Sequence, residues 1–255
     1  MQRQNVTYFA QEFECELKDT SGRCANVGSG TGETTRKVLL PVLNRDAVMI
    51  GTDVSESMVE YANRIHGVDG VLEFETLDIQ TRDLPEKYVA EFDHVFSFPV
   101  LHFCNDVRRG LENIYKMLRP GGTFLMLWVS SHDMFKILES MAENKCFASY
   151  LYYTVPFPHS EKPHMELKEL LRSIGFRIRH CSNREMSFVD KKPKAFLPTI
   201  ISAFSFLREM PPDRAENFKN EFVCEYTKRK YTRDHEELAV DLYKILVVYA
   251  QKQVL

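Results

Sequence analysis

The sequence lacks the features that would assign it at once to a membrane or nucleic-acid-binding class. It has no run of about 18 apolar residues, which a membrane-spanning helix needs, and its first residues lack the apolar core of a secretory signal. Its 33 basic and 36 acidic residues are spread along the chain and give a formal net charge of -3. Because the sequence has no basic stripe of the kind that binds a phosphate backbone, we expect no nucleic acid as partner. Since it has neither a membrane-spanning run nor a secretory signal, we expect no membrane as partner and a cytoplasmic location.

Metal-binding and disulfide patterns are also missing. The six cysteines are scattered, with no CxxC pair and no histidine at zinc-finger spacing. We therefore predict reduced thiols and no metal site. Cys104 follows Phe103 in a predicted pocket loop, which leaves a reactive thiol open beside the commoner role of a small packing residue.

Strand-like and helical patterns alternate through the first half. The 255 residues, 44% of them hydrophobic, are enough for one sizeable core. Strands are predicted at 23–27, 48–52, 72–76, 94–98 and 123–129, and helices at 34–43, 57–66 and 107–118, as five βα repeats. This pattern predicts an α/β fold: a Rossmann-like, seven-stranded, mostly parallel sheet with helices on both faces and a helical cap.

The second half is less regular. Helices are predicted at 133–143 and 165–174, strands at 176–181 and 244–251, and helices broken by Pro198 and Pro211-Pro212 within 194–233. We expect a single domain over 1–255, with a nucleotide-binding core at about 20–130 and cap elements at about 131–175 and 190–235.

A nucleoside site is indicated where the first three strands end. A side chain at Gly28 or Gly30 would block the close approach of a cofactor to the backbone. Asp53, about twenty residues further, can accept hydrogen bonds from both ribose hydroxyls. After the third strand, the carboxylate of Asp78 can accept from the adenine amine, and the N–H of Ile79 can donate to a ring nitrogen.

Each of these features, taken singly, also fits a structural role or a different cofactor. An aspartate after a strand is more often a turn residue or a helix cap. The glycine turn and the following aspartate also occur in NAD-dependent oxidoreductases, although we identify no catalytic proton donor for hydride transfer here. The three features together favour a nucleoside site.

Additional segments distinguish between the two cofactors. The turn is GxGxG rather than GxGxxG, and it is accompanied by Asp78-Ile79, by FDHV at 92–95 and by LRPGGT at 118–123. This set resembles a class I methyltransferase. The resemblance implies that S-adenosylmethionine binds, with S-adenosylhomocysteine as product, and that Ser97 and Phe98 lie near its methionine part. The implied cofactor residues are Asn26, Gly28, Ser29, Gly30, Asp53, Val54, Met58, Asp78, Ile79, Ser97 and Phe98.

Beyond this core, the chain is similar to arthropod juvenile hormone acid methyltransferases almost from end to end. The matching segments are 51–62, 92–98, 101–102, 113–115, 156–160, 206–211 and 246–250. The resemblance implies methylation of the carboxylate of a small apolar acid, such as farnesoic or juvenile hormone acid. A carboxylate has a pKa of about 4 to 5 and is ionised at neutral pH, so it needs no general base and no metal.

The family holds the acid with a glutamine and a tryptophan, and this chain keeps only part of that pair. Gln2 falls on the glutamine, but Phe103 replaces the tryptophan and cannot donate a hydrogen bond. Losing a hydrogen bond to a charged group costs about 1.5–3 kcal/mol. His102 either compensates or is a structural residue.

Two further departures concern the cofactor. Asn26 replaces an acidic residue, which keeps an acceptor but removes a negative charge. Relatives also carry further residues before Gln2 that help to cover the cofactor. These departures motivate an alternative function, that of a catalytically degraded methyltransferase-fold protein which binds S-adenosylmethionine or S-adenosylhomocysteine, or acts as a scaffold.

An aromatic set in the cap has two possible roles. The rings either surround the apolar tail of the acid or bury the cap against the sheet. The set comprises Tyr150, Tyr152, Tyr153, Phe157, Phe196, Phe204 and Phe206.

The sequence does not indicate an oligomeric state.

Overall fold

A computed structural model describes residues 2–151, 157, 160–190, 197–202, 204–228, 231–232 and 239–254. The chain forms two compact units. The first comprises Met1–Trp128, Glu161–Asn183 and Leu246–Leu255, and the second comprises Val129–Ser160 and Arg184–Ile245. The predicted cap at 190–235 falls in the second unit, whereas the segment 161–175 belongs to the first.

The strands form one sheet of Rossmann-like order. They are β1 (Arg23–Val27), β2 (Val48–Asp53), β3 (Leu72–Thr76), β4 (Phe92–Ser97), β5 (Leu118–Ser131), β6 (Phe176–Asp190), β7 (Tyr231–Thr232) and β8 (Ala239–Lys252). Seven of them lie in the order β3-β2-β1-β4-β5-β8-β6, and the two-residue β7 pairs with β8. The pairs from β3 to β5 are parallel, as alternating strands and helices predict. The predicted fold class is confirmed.

The described residues contain eight α-helices. They are α1 (Gln2–Glu12), α2 (Glu14–Lys18), α3 (Glu56–His66), α4 (Val107–Met117), α5 (Asp133–Ala142), α6 (Pro163–Ile174), α7 (Leu197–Ser202) and α8 (Pro212–Lys228). None of the helices among these described residues is long and apolar enough to cross a membrane.

Several details differ from the sequence prediction, among them the bounds of β5, β6 and β8. The helix predicted at 34–43 is a π-helix, Thr35–Leu39, followed by a 3-10 turn, Leu40–Val42, where Pro41 has no N–H to donate. The prediction of five βα repeats is wrong, because only a 3-10 turn, Glu86–Tyr88, lies between β3 and β4. Pro198 and Pro212 lie in the first turns of α7 and α8, where proline fits a helix, rather than breaking helices.

Aromatic rings of α1 and of the residue that follows it contact the first unit near its sheet. Phe9 and Phe13 are buried, and their ring centroids lie 4.7 Å apart. The ring of Phe9 meets Phe98 at 5.6 Å, beyond the end of β4, and Phe13 meets Tyr249 of β8 at 6.1 Å. Phe9 of α1 therefore contacts the chain just beyond the carboxyl end of β4, and Phe13 contacts β8.

The second unit has an aromatic core of its own. Phe218 and Phe222 of α8 are fully buried, and the ring of Phe206 meets that of Phe218 at 5.3 Å. Phe204 lies 5.2 Å from Phe222, and Phe147 lies 5.2 Å from Phe218. Each buried ring removes a large apolar area from water, so this cluster holds the unit together.

Candidate functional site

The predicted nucleoside residues lie at the ends of neighbouring strands. Val27 at the end of β1 is in register with Thr52 of β2 and with Ser97 of β4, and Asp53 is in register with Thr76 of β3. The turns that leave β1, β2 and β3 therefore start from one edge of the sheet. This is the edge at which ligands bind in open α/β folds.

The glycine turn is folded around a single carbonyl of β2. The oxygen of Thr52 accepts from the N–H of Gly28 at 2.7 Å, and from the N–H of Ser29 at 2.9 Å. The hydroxyl of Ser29 donates to the same oxygen at 3.3 Å. Ser29 thus contributes to the site by shaping the turn.

Asp53 joins the glycine turn to the start of α3. Its Oδ2 accepts from the N–H of Gly30 at 2.9 Å, and its Oδ1 accepts from the N–H of Ser55 at 3.0 Å. Each oxygen of a carboxylate can accept two hydrogen bonds. Asp53 can therefore hold the turn and still accept from ribose hydroxyls.

The two glycines singled out from the sequence differ in their surroundings. Gly30 has φ +55°, and a Cβ built on it meets no atom within 4 Å, so the space next to it is open to a ligand. Gly28 has φ +74°, but a Cβ there would lie 2.2 Å from Cγ1 of Val100. Both glycines have a left-handed backbone conformation that favours glycine, and a side chain at position 28 would also clash with Val100, whereas the space beside Gly30 is open.

Three buried polar atoms near these strand ends have no hydrogen-bond partner among the described residues. They are Oδ1 of Asn26, Oγ1 of Thr52 and Oγ of Ser97. Asn26 is 4% exposed, and its Nδ2 donates to Oγ1 of Thr35 at 2.7 Å. An unsatisfied buried polar group costs about 1–3 kcal/mol, so such atoms favour a polar ligand or ordered water nearby. These hydroxyl and amide oxygens fit a nucleoside with a charged amino-acid end.

The loop after β3 is held by a residue that sequence reasoning gave no role. Asp78 is exposed, and its Oδ1 accepts from the N–H of Gln80 at 2.9 Å. The amide of Asn113 in α4 donates to the carbonyls of Ile79 and Thr81, both at 2.8 Å. Asn113 is 1% exposed. The sequence feature that could have revealed its role is an asparagine on the apolar face of an amphipathic helix, because buried polar groups are hydrogen-bonded.

Apolar side chains lie beside the polar ones. Val54 follows Asp53 and is 59% exposed, and Met58 in the first turn of α3 is half-buried. Phe98 is buried against Phe9 of α1. An exposed valine next to a carboxylate at this edge suits the face of an aromatic base.

The residues predicted to position the acceptor lie on the segment after β4. His102 and Phe103 end a 3-10 turn, Leu101–Phe103, and their ring centroids are 4.2 Å apart. His102 is 2% exposed and Phe103 is half-buried. Gln2 is the first residue of α1, and its side chain lies outside the described part of the chain.

The thiol of Cys104 is unsuited to a nucleophilic role. Burial, followed by the negative charges of Asp78 and Asp106, raises the pKa of this thiol to about 12. The thiolate is the reactive form of cysteine. Since Cys104 is protonated at neutral pH, the structure favours a packing role.

The cap aromatics are divided between burial and partial exposure. Phe204 and Phe206 belong to the core of the second unit, which favours a structural role for both. Tyr150 accepts a hydrogen bond from Nη1 of Arg214 at 3.2 Å, and Phe157 is half-buried. Tyr152, Tyr153 and Phe196 lie outside the described residues.

A cavity of about 580 Å³ lies elsewhere in the first unit, lined by Glu12, Phe13, Glu16, Arg179, His180, Tyr249 and Gln251. It contains none of the predicted site residues. Within the described part of the chain, no group of three His, Cys, Asp or Glu side chains is arranged to hold a metal ion.

Comparison with known proteins agrees with this geometry. Residues 25–124 match the methyltransferase domain family. The chain is 27% identical to the juvenile hormone acid O-methyltransferase of Drosophila melanogaster, over 99% of its own length and 89% of the relative's. It is 26% identical to that of Bombyx mori, over 92% and 87% of the two lengths. The predicted resemblance is confirmed.

Solved structures show the same fold at low sequence identity. A Haemonchus contortus phosphoethanolamine N-methyltransferase, in complex with S-adenosylhomocysteine, has a TM-score of 0.57 and 16% identity, covering 98% of this chain and 53% of that one. The [4+2]-cyclase SpnF has a TM-score of 0.57 and 19% identity, covering 99% and 82%. A methyltransferase candidate from Bacillus halodurans has a TM-score of 0.58 and 13% identity, covering 95% and 98%. These structures confirm the Rossmann-like fold.

Proposed function

We propose that this chain transfers the methyl group of S-adenosylmethionine to the carboxylate of a small apolar acid. The observation that carries the proposal is the turn fixed by Asp53, with open space beside Gly30, at the edge where β1, β2 and β3 end. Similarity to juvenile hormone acid O-methyltransferases over nearly the whole chain supports a carboxylate as acceptor.

The cofactor would be held by groups from neighbouring strand ends. Asp53 would accept from the ribose, the loop of Asp78 and Ile79 would hold the adenine, and Val54 would pack against the ring. Asn26 and Ser97 would offer polar atoms to the amino-acid end. When bound, S-adenosylmethionine supplies a methyl group on a positively charged sulfur.

The chain's contribution to the reaction is alignment and exclusion of water. An ionised carboxylate is already a nucleophile, so no side chain has to remove a proton from it. His102 and Phe103 would place the acid, and Gln2 would approach its carboxylate from α1. Holding two reactants in a productive geometry accounts for much of the rate enhancement in such a reaction.

The test is transfer of a radiolabelled methyl group from S-adenosylmethionine to a panel of acids by the purified chain. Farnesoic acid, juvenile hormone acid and a saturated fatty acid form the panel, and farnesol serves as a matched acceptor without a carboxylate. We expect labelled ester from at least one isoprenoid acid and none from farnesol. Labelling of farnesol instead of the acids would overturn the acceptor class.

A second candidate is a protein that binds the nucleoside without turnover. The neutral Asn26 and the contact of Val100 with Gly28 favour it, since one removes a charge and the other occupies space beside the turn. Calorimetry with S-adenosylhomocysteine separates the candidates. Heat of binding without any ester product across the panel would support this candidate.

A further inference from the structure

The side chain of Val100 lies directly on the glycine turn. An ideal Cβ at Gly28 would come within 2.2 Å of Cγ1, 2.5 Å of Cβ and 2.6 Å of Cγ2 of Val100. All three side-chain carbons of Val100 therefore lie close to Gly28. Gly30, two residues further, has open space at its own Cβ position.

The main chain holds Val100 in this place. Its carbonyl accepts from the N–H of Phe103 at 2.8 Å, which closes the turn. The next two residues, Leu101 and His102, are 1% and 2% exposed. Because the two residues that follow Val100 are buried, their packing fixes the position of the segment that carries the valine.

The order of the strands determines which part of the cofactor Val100 would meet. The adenosine end is assigned to Asp53 and Asp78, at the ends of β2 and β3. The rest of the cofactor then extends over β1 towards β4, because β1 lies between β2 and β4. Val100 follows β4 and covers Gly28 at the end of β1, so it lies on the side of the amino-acid end.

We infer that Val100 is a specificity-determining residue, whose side chain occupies space that the amino-acid end of the cofactor needs over Gly28. This inference rests on the proposed cofactor. The side chain of Val100 has to move when the whole cofactor binds, whereas it can stay in place when adenosine binds. The size of residue 100 therefore sets the affinity for S-adenosylhomocysteine relative to adenosine.

Calorimetry with both probes tests the inference on the full chain. Val100→Ala removes two methyl groups and should tighten S-adenosylhomocysteine about three- to tenfold, with adenosine unchanged. Val100→Ile should weaken S-adenosylhomocysteine alone. Val89→Ala is the matched control, because Val89 is 46% exposed in the loop before β4, and it should change neither affinity.

A structural readout accompanies the affinities. Nuclear Overhauser contacts between the methyl groups of Val100 and the α-protons of Gly28 should disappear when S-adenosylhomocysteine saturates the chain, and should persist with adenosine. Equal affinities in all variants, with the contacts retained, would overturn the role of Val100 alone. Absence of S-adenosylhomocysteine binding in both the natural chain and Val100→Ala would overturn the proposed function and the inference with it.

Discussion

Gly30 and Gly70 provide a matched pair of substitutions for locating the cofactor. Gly30 has φ +55° and Gly70 has φ +67°, and a Cβ on either one meets no atom within 4 Å. Alanine costs roughly 1–2 kcal/mol in this left-handed conformation. For a chain of this size, that cost lowers the thermal midpoint by about 2–8 °C. Gly30→Ala and Gly70→Ala should therefore lose similar stability.

Ligand binding should separate the two variants. The new methyl group at residue 30 enters the space proposed for the cofactor but leaves the N–H that donates to Asp53. We expect Gly30→Ala to weaken S-adenosylhomocysteine at least tenfold, about 1.4 kcal/mol, while Gly70→Ala binds as the natural chain does. Calorimetry at a temperature where both variants are folded measures this difference. Equal binding by Gly30→Ala and the natural chain would refute the placement of the cofactor beside this turn.

Two further outcomes follow from single side chains. If Asp53 accepts from the ribose, the natural chain should bind adenosine about tenfold or more tightly than 2′-deoxyadenosine, as measured by calorimetry. This preference should nearly vanish in Asp53→Ala. An unchanged preference would mean that Asp53 only shapes the turn. With a pKa of about 12, Cys104 is almost entirely protonated at pH 8. Iodoacetamide should therefore label exposed Cys146 and not Cys104 in the folded chain, as mapped by mass spectrometry, and rapid labelling of Cys104 would contradict its burial.

The sequence predicted the elements whose pattern is local. The bounds of β1 and β3 agree with the structure, because β1 ends at the glycine turn and the first residues of β3 alternate between buried and exposed side chains. The same local signals found Gly30 and Asp53. The hydrogen bond between them joins positions 23 residues apart, and its function in shaping the turn required the register of β1 and β2.

The features that the sequence did not predict depend on packing between distant segments. Nothing in the residues around Val100 indicates that it would lie on Gly28, because the contact joins the segment after β4 to the turn after β1. The hydrogen bond between Asn26 and Thr35 is a second example, since it joins β1 to the π-helix. Hydrophobic periodicity does not predict such pairs, because it is a pattern within one segment and carries no information about which distant segment that one contacts.

The two ends of the proposed site differ in what the fold alone provides. SpnF, a [4+2]-cyclase, has this fold over 99% of the chain, so a strand edge suited to a nucleoside does not determine which reaction takes place there. The groups proposed for the adenosine end come from three adjacent strands, and Asp53 is fixed by two hydrogen bonds to the backbone. The proposed acceptor end depends on Gln2 of α1 and on one short segment after β4, in which the carbonyl of Val100 accepts from the N–H of Phe103. We therefore expect divergence in chemistry to be concentrated in that segment, because a substitution there would alter the acceptor or the amino-acid end of the cofactor without disturbing the strand ends proposed to hold the adenosine.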